Sequence, residues 1–278
     1  MKKLIPILIS AIFISIILIS GLYPTVSDYI NSRSQTRVVG RYLEDVEKMD
    51  DENKEEMLAA AREYNMKLLY KKDRLSFTEE ETAEYKKQLD TGRGVMGILE
   101  IDKINVMLPI YHGTDEGVLQ IGIGHMQGTS LPIGGKDTHA FITGHRGLPS
   151  SKLLTNLDKM TYGDIFVLRI LDETLTYQVD NIQTIEPDNA ESLEIVKDMD
   201  YCTLVTCTPY GINTHRLLVR GQRIENIEGY SFVDYGAGAR QLDKLKIILI
   251  FIIPALPVLT IFAFIIFRRI QKGGKIYR

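Results

Sequence analysis

Two uncharged apolar runs bracket this chain and constrain everything between them. Leu4 to Tyr23 (LIPILISAIFISIILISGLY) and Ile247 to Phe267 (IILIFIIPALPVLTIFAFIIF) each reach the roughly 20 residues needed to cross a ~30 Å hydrocarbon core. Pro254 and Pro257 would kink the second helix, but prolines are tolerated in membrane spans. Lys2 and Lys3 precede the first run, Arg268-Arg269 and a basic tail follow the second, and cations stay cytoplasmic. The expected topology is a cytoplasmic segment 1–3, a signal-anchor 4–23, a second span 247–267 and a basic cytoplasmic tail 268–278. Residues 24–243 then lie on the extracellular face of the cell membrane. A cleaved signal peptide is the competing reading of the first run. Against it, the apolar stretch exceeds the usual h-region, and no small-x-small site lies near Ser20-Gly21-Leu22-Tyr23.

Charge separates the ends from the body. Residues 1–23 and 244–278 contain no Asp or Glu, so the segment 24–243 holds all 36 acidic residues of the chain against 24 of its 33 Lys and Arg. An acidic body excludes an electrostatic nucleic-acid binder. Ordinary hydrophobic and charged fractions, 45% and 25%, exclude whole-chain disorder. Two cysteines are too few for a disulfide framework or a four-cysteine zinc site.

Within the exposed part, residues 38 to about 70 carry apolar positions at three- and four-residue spacing, the period of an amphipathic helix. Asp50-Asp51-Glu52-Asn53 is a candidate break in it, and a second helical pattern covers Thr78 to Leu89. This gives a helical extension over 24–92. From Gly94 the pattern changes to short β-branched runs separated by Gly, Pro, Asp and Asn. The runs are 96–101, 106–111, 139–143, 165–170, 174–179, 182–185, 201–207 and 216–220. Some eight strands at this spacing predict an all-β barrel or sandwich over 93–225, with 226–246 as a linker. Gly122-x-Gly124 with Gly128 lacks the dinucleotide fingerprint and its βαβ context, and is expected in turns.

Cys207 ends the apolar strand Thr203-Leu204-Val205-Thr206-Cys207 and precedes the turn Thr208-Pro209-Tyr210-Gly211. There a thiolate can meet substrate. Cys202 lies five residues earlier, so the alternation of a strand points it to the opposite face, where a small buried hydrophobe is expected. A thiol needs a base or a cation to become a good nucleophile. Of the five histidines, His145 stands at a strand end between glycines (Gly144-His145-Arg146-Gly147) and leads His125 as the partner. Arg216 follows Cys207 by nine residues across a turn. If the two strands pair antiparallel, its guanidinium comes beside the sulfur, able to favour thiolate and hold an oxyanion.

The Thr-Leu-Val-Thr-Cys strand with Arg216 nine residues on and His145 upstream resembles the sortase signature. The likeness extends over Gly94–Ile101, Leu108–Thr114, Gly124–Pro132, Gly144–Pro149 and Cys207–Arg216, which look like class C, pilin-polymerising sortases of Gram-positive bacteria. The resemblance implies an eight-stranded sortase β-barrel. It also implies cysteine transpeptidation of a Leu-Pro-x-Thr-Gly-like sorting signal between Thr and Gly. Cys207 would form the thioacyl enzyme, His145 would move protons, and Arg216 would hold substrate and oxyanion. No cofactor is implied, and the partners are pilin subunits and the membrane. Class C sortases also carry a lid, usually Asp-Pro-aromatic, before the barrel. The corresponding segment here is Asp73-Arg74-Leu75-Ser76-Phe77, which keeps the Asp but not the proline, so Asp73, Leu75 and Phe77 are the candidate lid residues. The alternatives are a sortase that anchors surface proteins to cell-wall peptide amines, and a non-catalytic assembly module.

Overall fold

The computed structural model describes residues 4–148, 150–187 and 193–227, with a few positions between 257 and 265. The segment 1–3, most of the linker 226–246, nearly all of the run 247–267 and the tail 268–278 lie outside the described residues. Among the described residues no helix is long and apolar enough to cross a membrane. By its contacts the chain divides into two units. One comprises Met1–Ile30, Pro149–Ser151 and Ala237–Arg278; the other comprises Asn31–Leu148 and Lys152–Gly236 and contains the barrel.

The helical extension starts earlier than its periodicity suggests. Helix α1 spans Leu4–Lys48 and runs through Pro24, and α2 spans Asp51–Tyr70. The three-and-four pattern becomes visible only where α1 gains a buried face, at Val39, Tyr42 and Val46. Before Gln35, none of the α1 residues whose burial is described is buried, so they offer no core-facing stripe to read. The expected break is real: Asp50 caps α2, its carboxylate accepting from the Asn53 amide at 2.8 Å. Helix α3, Glu79–Lys87, opens on a capping box in which Thr78 and Glu81 satisfy each other's backbone donors.

The helices are pinned to the barrel by buried polar groups as well as by apolar contact. The Tyr42 hydroxyl donates to Met96 O (3.3 Å) and accepts from the Leu171 amide (2.7 Å). The Asn65 carboxamide grips the backbone of Leu131 in both directions, at 3.2 and 2.7 Å. Tyr85, 1% exposed, accepts from the Gly113 amide and meets His125. Each bond satisfies a group whose burial would otherwise cost about 1–3 kcal/mol.

Eight strands close into a barrel: β1 (Val95–Ile101), β2 (Val106–His112), β3 (Ile123–His125), β4 (Thr138–Gly144), β5 (Ile165–Ile170), β6 (Glu173–Ile185), β7 (Asp200–Thr208) and β8 (His215–Arg223). A short helix α4, Glu116–Ile121, lies between β2 and β3. The spatial order is β1-β2-β3-β4-β7-β8-β6-β5, with β2/β3 and β4/β7 parallel and the other pairs antiparallel. Ile98, Ile142, Phe166, Cys202, Leu204 and Val219 belong to the core.

Two expected strands, 174–179 and 182–185, are one strand, β6. A register shift against β8 between Val179 and Asn181 interrupts the side-chain alternation, so the sequence reads as two pieces. Strand β3 was not expected, because three residues cannot display a period. Gly124, expected in a turn, lies in this strand. A Cβ there would stand 1.9 Å from the Gly113 carbonyl oxygen, so only glycine lets the backbones approach. Gly128 is a turn glycine at φ +92, with the Arg74 carbonyl against it.

Candidate active site

The site is built on the outer face of β4, β7 and β8. Along β7 the even-numbered Cys202 and Leu204 enter the core, while Val205 and Cys207 face outward into a groove of about 320 Å³. Cys202 is 0% exposed, and burial, with the Asp200 charge adding to it, pushes its thiol well above the ordinary range. It is a structural thiol. Cys207 is a free, partly exposed thiol at the strand's end.

Antiparallel pairing of β7 with β8 sets Cys207 directly opposite Arg216. The guanidinium is steered by the turn before it: Nη1 donates to the carbonyls of Asn213 (3.4 Å) and His215 (3.3 Å). Among the described residues the other guanidinium nitrogens make no hydrogen bond, which leaves donors for a ligand in the groove. His215 pairs with Thr208 instead and meets Thr214, as strand alternation requires.

His145 arrives from the neighbouring strand. Thr143 of β4 pairs with Val205 of β7, the last pair of that ladder, and His145, just past the strand's end, lines the same groove as Cys207. The junction is tied twice. Thr206 donates through its hydroxyl to the Gly144 carbonyl at 2.8 Å, buried. Arg146 donates to the Thr208 hydroxyl (3.2 Å) and to the Asp158 carboxylate (2.6 Å). The residues flanking the thiol and the imidazole are thus clamped to one another. Phe141, Ile185, Leu193, Val205 and Leu218 supply apolar walls. A thiol, an imidazole and a guanidinium in one partly desolvated groove are equipped for nucleophilic attack on a carbonyl, proton transfer and oxyanion binding.

His125, second to His145 in the sequence reading, is no part of this groove. It is wholly buried, and burial pushes its pKa down to about 4 against the opposing pull of the Ser130 carbonyl. Its Nε2 meets the Ser130 carbonyl at 2.8 Å and its Nδ1 the Tyr85 hydroxyl at 2.9 Å. That network is structural. The candidate lid residues Asp73, Leu75 and Phe77 also stand off the groove, whose lining contains none of them. Asp73 accepts from the Leu75 amide (3.2 Å) rather than pairing with Arg216, and Leu75 is 47% exposed. The Phe77 ring lies under the Lys71 ammonium. Between them, Arg74 donates to the carbonyl of Leu193, whose side chain is a groove wall. Sequence reasoning missed Glu116, which faces His145 across 3.5 Å. Nothing in its local sequence marks it, since an acid in the first turn of a short helix is ordinary helix chemistry.

An eight-stranded closed barrel in which the end of β7 carries a cysteine opposite an arginine, in one groove with a histidine just past β4, is the architecture of a cysteine transpeptidase. The Sortase domain family model matches residues 99–224, and the chain belongs to the sortase family. Within it, solved structures of the C type are similar to this chain. Streptococcus agalactiae sortase C1 is 50% identical, with a TM-score of 0.66, over 69% of this chain and 100% of that one. Streptococcus pneumoniae sortase C is 45% identical, with a TM-score of 0.62, over 68% of this chain and 97% of that one. Clostridium perfringens sortase C, solved with the C-terminal cell wall sorting motif, is 39% identical, with a TM-score of 0.61, over 68% and 99%. The chain spans less than two thirds of the length of the curated relatives it matches, 66% of Bacillus subtilis Sortase D and less of two others, at 28–29% identity.

Proposed function

We propose that this protein is a membrane-anchored pilin polymerase that joins subunits through their C-terminal sorting signals. The Cys207–Arg216 register pair, with His145 in the same groove, carries the reading. The Cys207 thiolate attacks the threonine carbonyl of a Leu-Pro-x-Thr-Gly-like signal, and Arg216 donates to the oxyanion that forms. The Thr–Gly bond breaks as His145 gives its proton to the departing glycine amine, leaving a thioester on Cys207. A lysine ε-amine of another pilin then attacks the thioester, His145 takes up the proton that the amine loses, and an isopeptide and a free cysteine result. The thioester conserves the energy of the first amide, so the exchange is close to thermoneutral.

The substrate class is supported by the Clostridium perfringens neighbour, solved with a cell wall sorting motif, and by the Streptococcus pneumoniae neighbour, whose structure is described in terms of pilin substrate specificity. Anchoring rests on the uncharged run 4–23 and its basic flank, with 247–267 as a second span.

The test supplies the full-length enzyme in detergent with a cognate pilin and, separately, with a wall-peptide amine. A ladder stable to boiling in detergent, lost when one pilin lysine is changed to arginine, is the expected result. Attachment of single subunits to the wall amine with no ladder would make this an anchoring enzyme instead.

A further inference from the structure

Helix α4 places a carboxylate against the imidazole. His145 Nε2 is completely shielded from solvent, has no hydrogen-bond partner among the described residues, and faces Glu116 Oε1 at 3.5 Å. Glu116 is itself 71% exposed, so it closes the outer side of the imidazole while remaining in contact with water. Its position is not accidental to the helix. Asp115 caps α4 by accepting from the Val118 amide at 3.2 Å. Gln120, one turn on, donates its side-chain amide to the same Glu116 oxygen that faces His145. Leu119 of the same helix lines the groove.

We propose that Glu116 is a positioning residue for transpeptidation, holding the His145 ring and favouring its protonated form so that thiolate and imidazolium coexist. This rests on the transpeptidase reading but not on which amine resolves the intermediate. The carboxyl is held below its usual range first by the Gln120 amide and then by His145, so it is ionised throughout the working pH range. Among the described residues, the other charged or titratable groups beside the imidazole are Cys207 from β7 and Arg216 from β8, with the adjacent Arg146 engaged by Asp158. The two arginines act against an imidazolium. Glu116 acts for it.

Proton transfer from His145 to the leaving amine requires an imidazolium, and attack requires a thiolate. In a thiol–imidazole pair the thiolate–imidazolium form is a fraction set by the proton's preference between the two groups. Removing a facing carboxylate lowers that fraction, and it shifts the pH at which the pair first forms by the same factor. An exposed partner at this distance sets a modest scale, about 2- to 5-fold, or about 0.3–0.7 pH units.

The test needs no sorting signal. Full-length protein in detergent is alkylated at Cys207 with iodoacetamide from pH 5 to 10, for the wild type, Glu116→Gln and Glu116→Asp. Gln keeps an oxygen for Gln120 and removes only the charge. The expected result is about 2- to 5-fold slower labelling of Glu116→Gln near pH 7, with the onset of labelling moved down by the matching 0.3–0.7 units. Glu116→Asp should recover part of the rate, and the difference should shrink in 1 M salt, where the screening length falls to about 3 Å. Unchanged labelling in Glu116→Gln would overturn the proposal. A slower rate with an unmoved onset would overturn it too, because a merely structural loss scales the whole profile. Cleavage of a sorting-signal peptide by the same variants then reports on the transpeptidase reading separately. Wild-type protein that is labelled as expected but does not cleave would count against that reading, not against Glu116.

Discussion

Cys202 and Cys207 stand five residues apart on β7, and the odd spacing gives them opposite surroundings. One thiol is sealed in the core and held protonated by burial. The other ends the strand opposite a guanidinium. Cys207→Ala should therefore abolish both thioester formation and product, whereas Cys202→Ala should retain turnover within about 2-fold. Mass spectrometry of the acyl enzyme and peptide cleavage rates check both, and equal loss in the two variants would refute the strand-phase argument. Arg216→Lys should lower kcat about 10²-fold, since an ammonium keeps the charge but lacks the planar fork of donors aimed at an oxyanion. These residues were legible because the β7–β8 hairpin is local. Nine residues across a turn leave an antiparallel pair little freedom in register. His145 was favoured by its strand-end place between glycines, and the family resemblance gave it its role. It reaches Cys207 by a parallel pairing of strands 62 residues apart, and no spacing rule foretells that.

Among the elements, α3 shows how the extension is coupled to the barrel. Its Tyr85 hydroxyl sits among His125, the His125 carbonyl and the Gly113 amide, each near 3 Å. Tyr85→Phe should cost about 1–3 kcal/mol of stability, the usual penalty for orphaning buried polar partners. His125 adds a pH dependence of definite sign. Unfolded, it takes a proton near 6.5; folded, burial delays protonation to about 4. Acidification through that window therefore favours the unfolded chain, and stability present above pH 6.5 is lost as the pH falls toward 4. Between pH 7 and 5 the loss from this residue should be roughly 2 kcal/mol. Urea unfolding of the full chain at the two pH values, for the wild type and His125→Gln, checks it. The pH-dependent loss should be smaller in the variant by about that amount, and an identical loss in both would show that His125 does not titrate as its burial requires. The starts of α2 and α3 were readable, since Asp50 and Thr78 act within their own turns. The part of α1 before Gln35 was not, because its described residues bury no stripe.

At the scale of the molecule, the acidic body between basic ends with long uncharged runs leads to a topology test. A reporter fused after Arg278 should score as cytoplasmic, and protease added to protoplasts should digest within 24–243 only. A mature protein beginning near residue 24 would mean that the first run is a cleaved signal. Composition and charge are read without any fold, because a bilayer responds to an uncharged run of sufficient length whatever lies beside it. The thiol's partner arginine was sequence-determined, since it depends on near-neighbour alternation and a short turn; the expected count of eight strands arose from reading β6 as two and missing β3. The tertiary structure alone decided that β3 slips between β2 and β4, that 174–185 is a single bulged strand, and that Asp73, Leu75 and Phe77 stand off the groove. It alone decided that Glu116 faces His145. The physical reason is common to all four: each depends on which distant segments close the barrel together, and closure is a property of the whole set of strands rather than of any one of them.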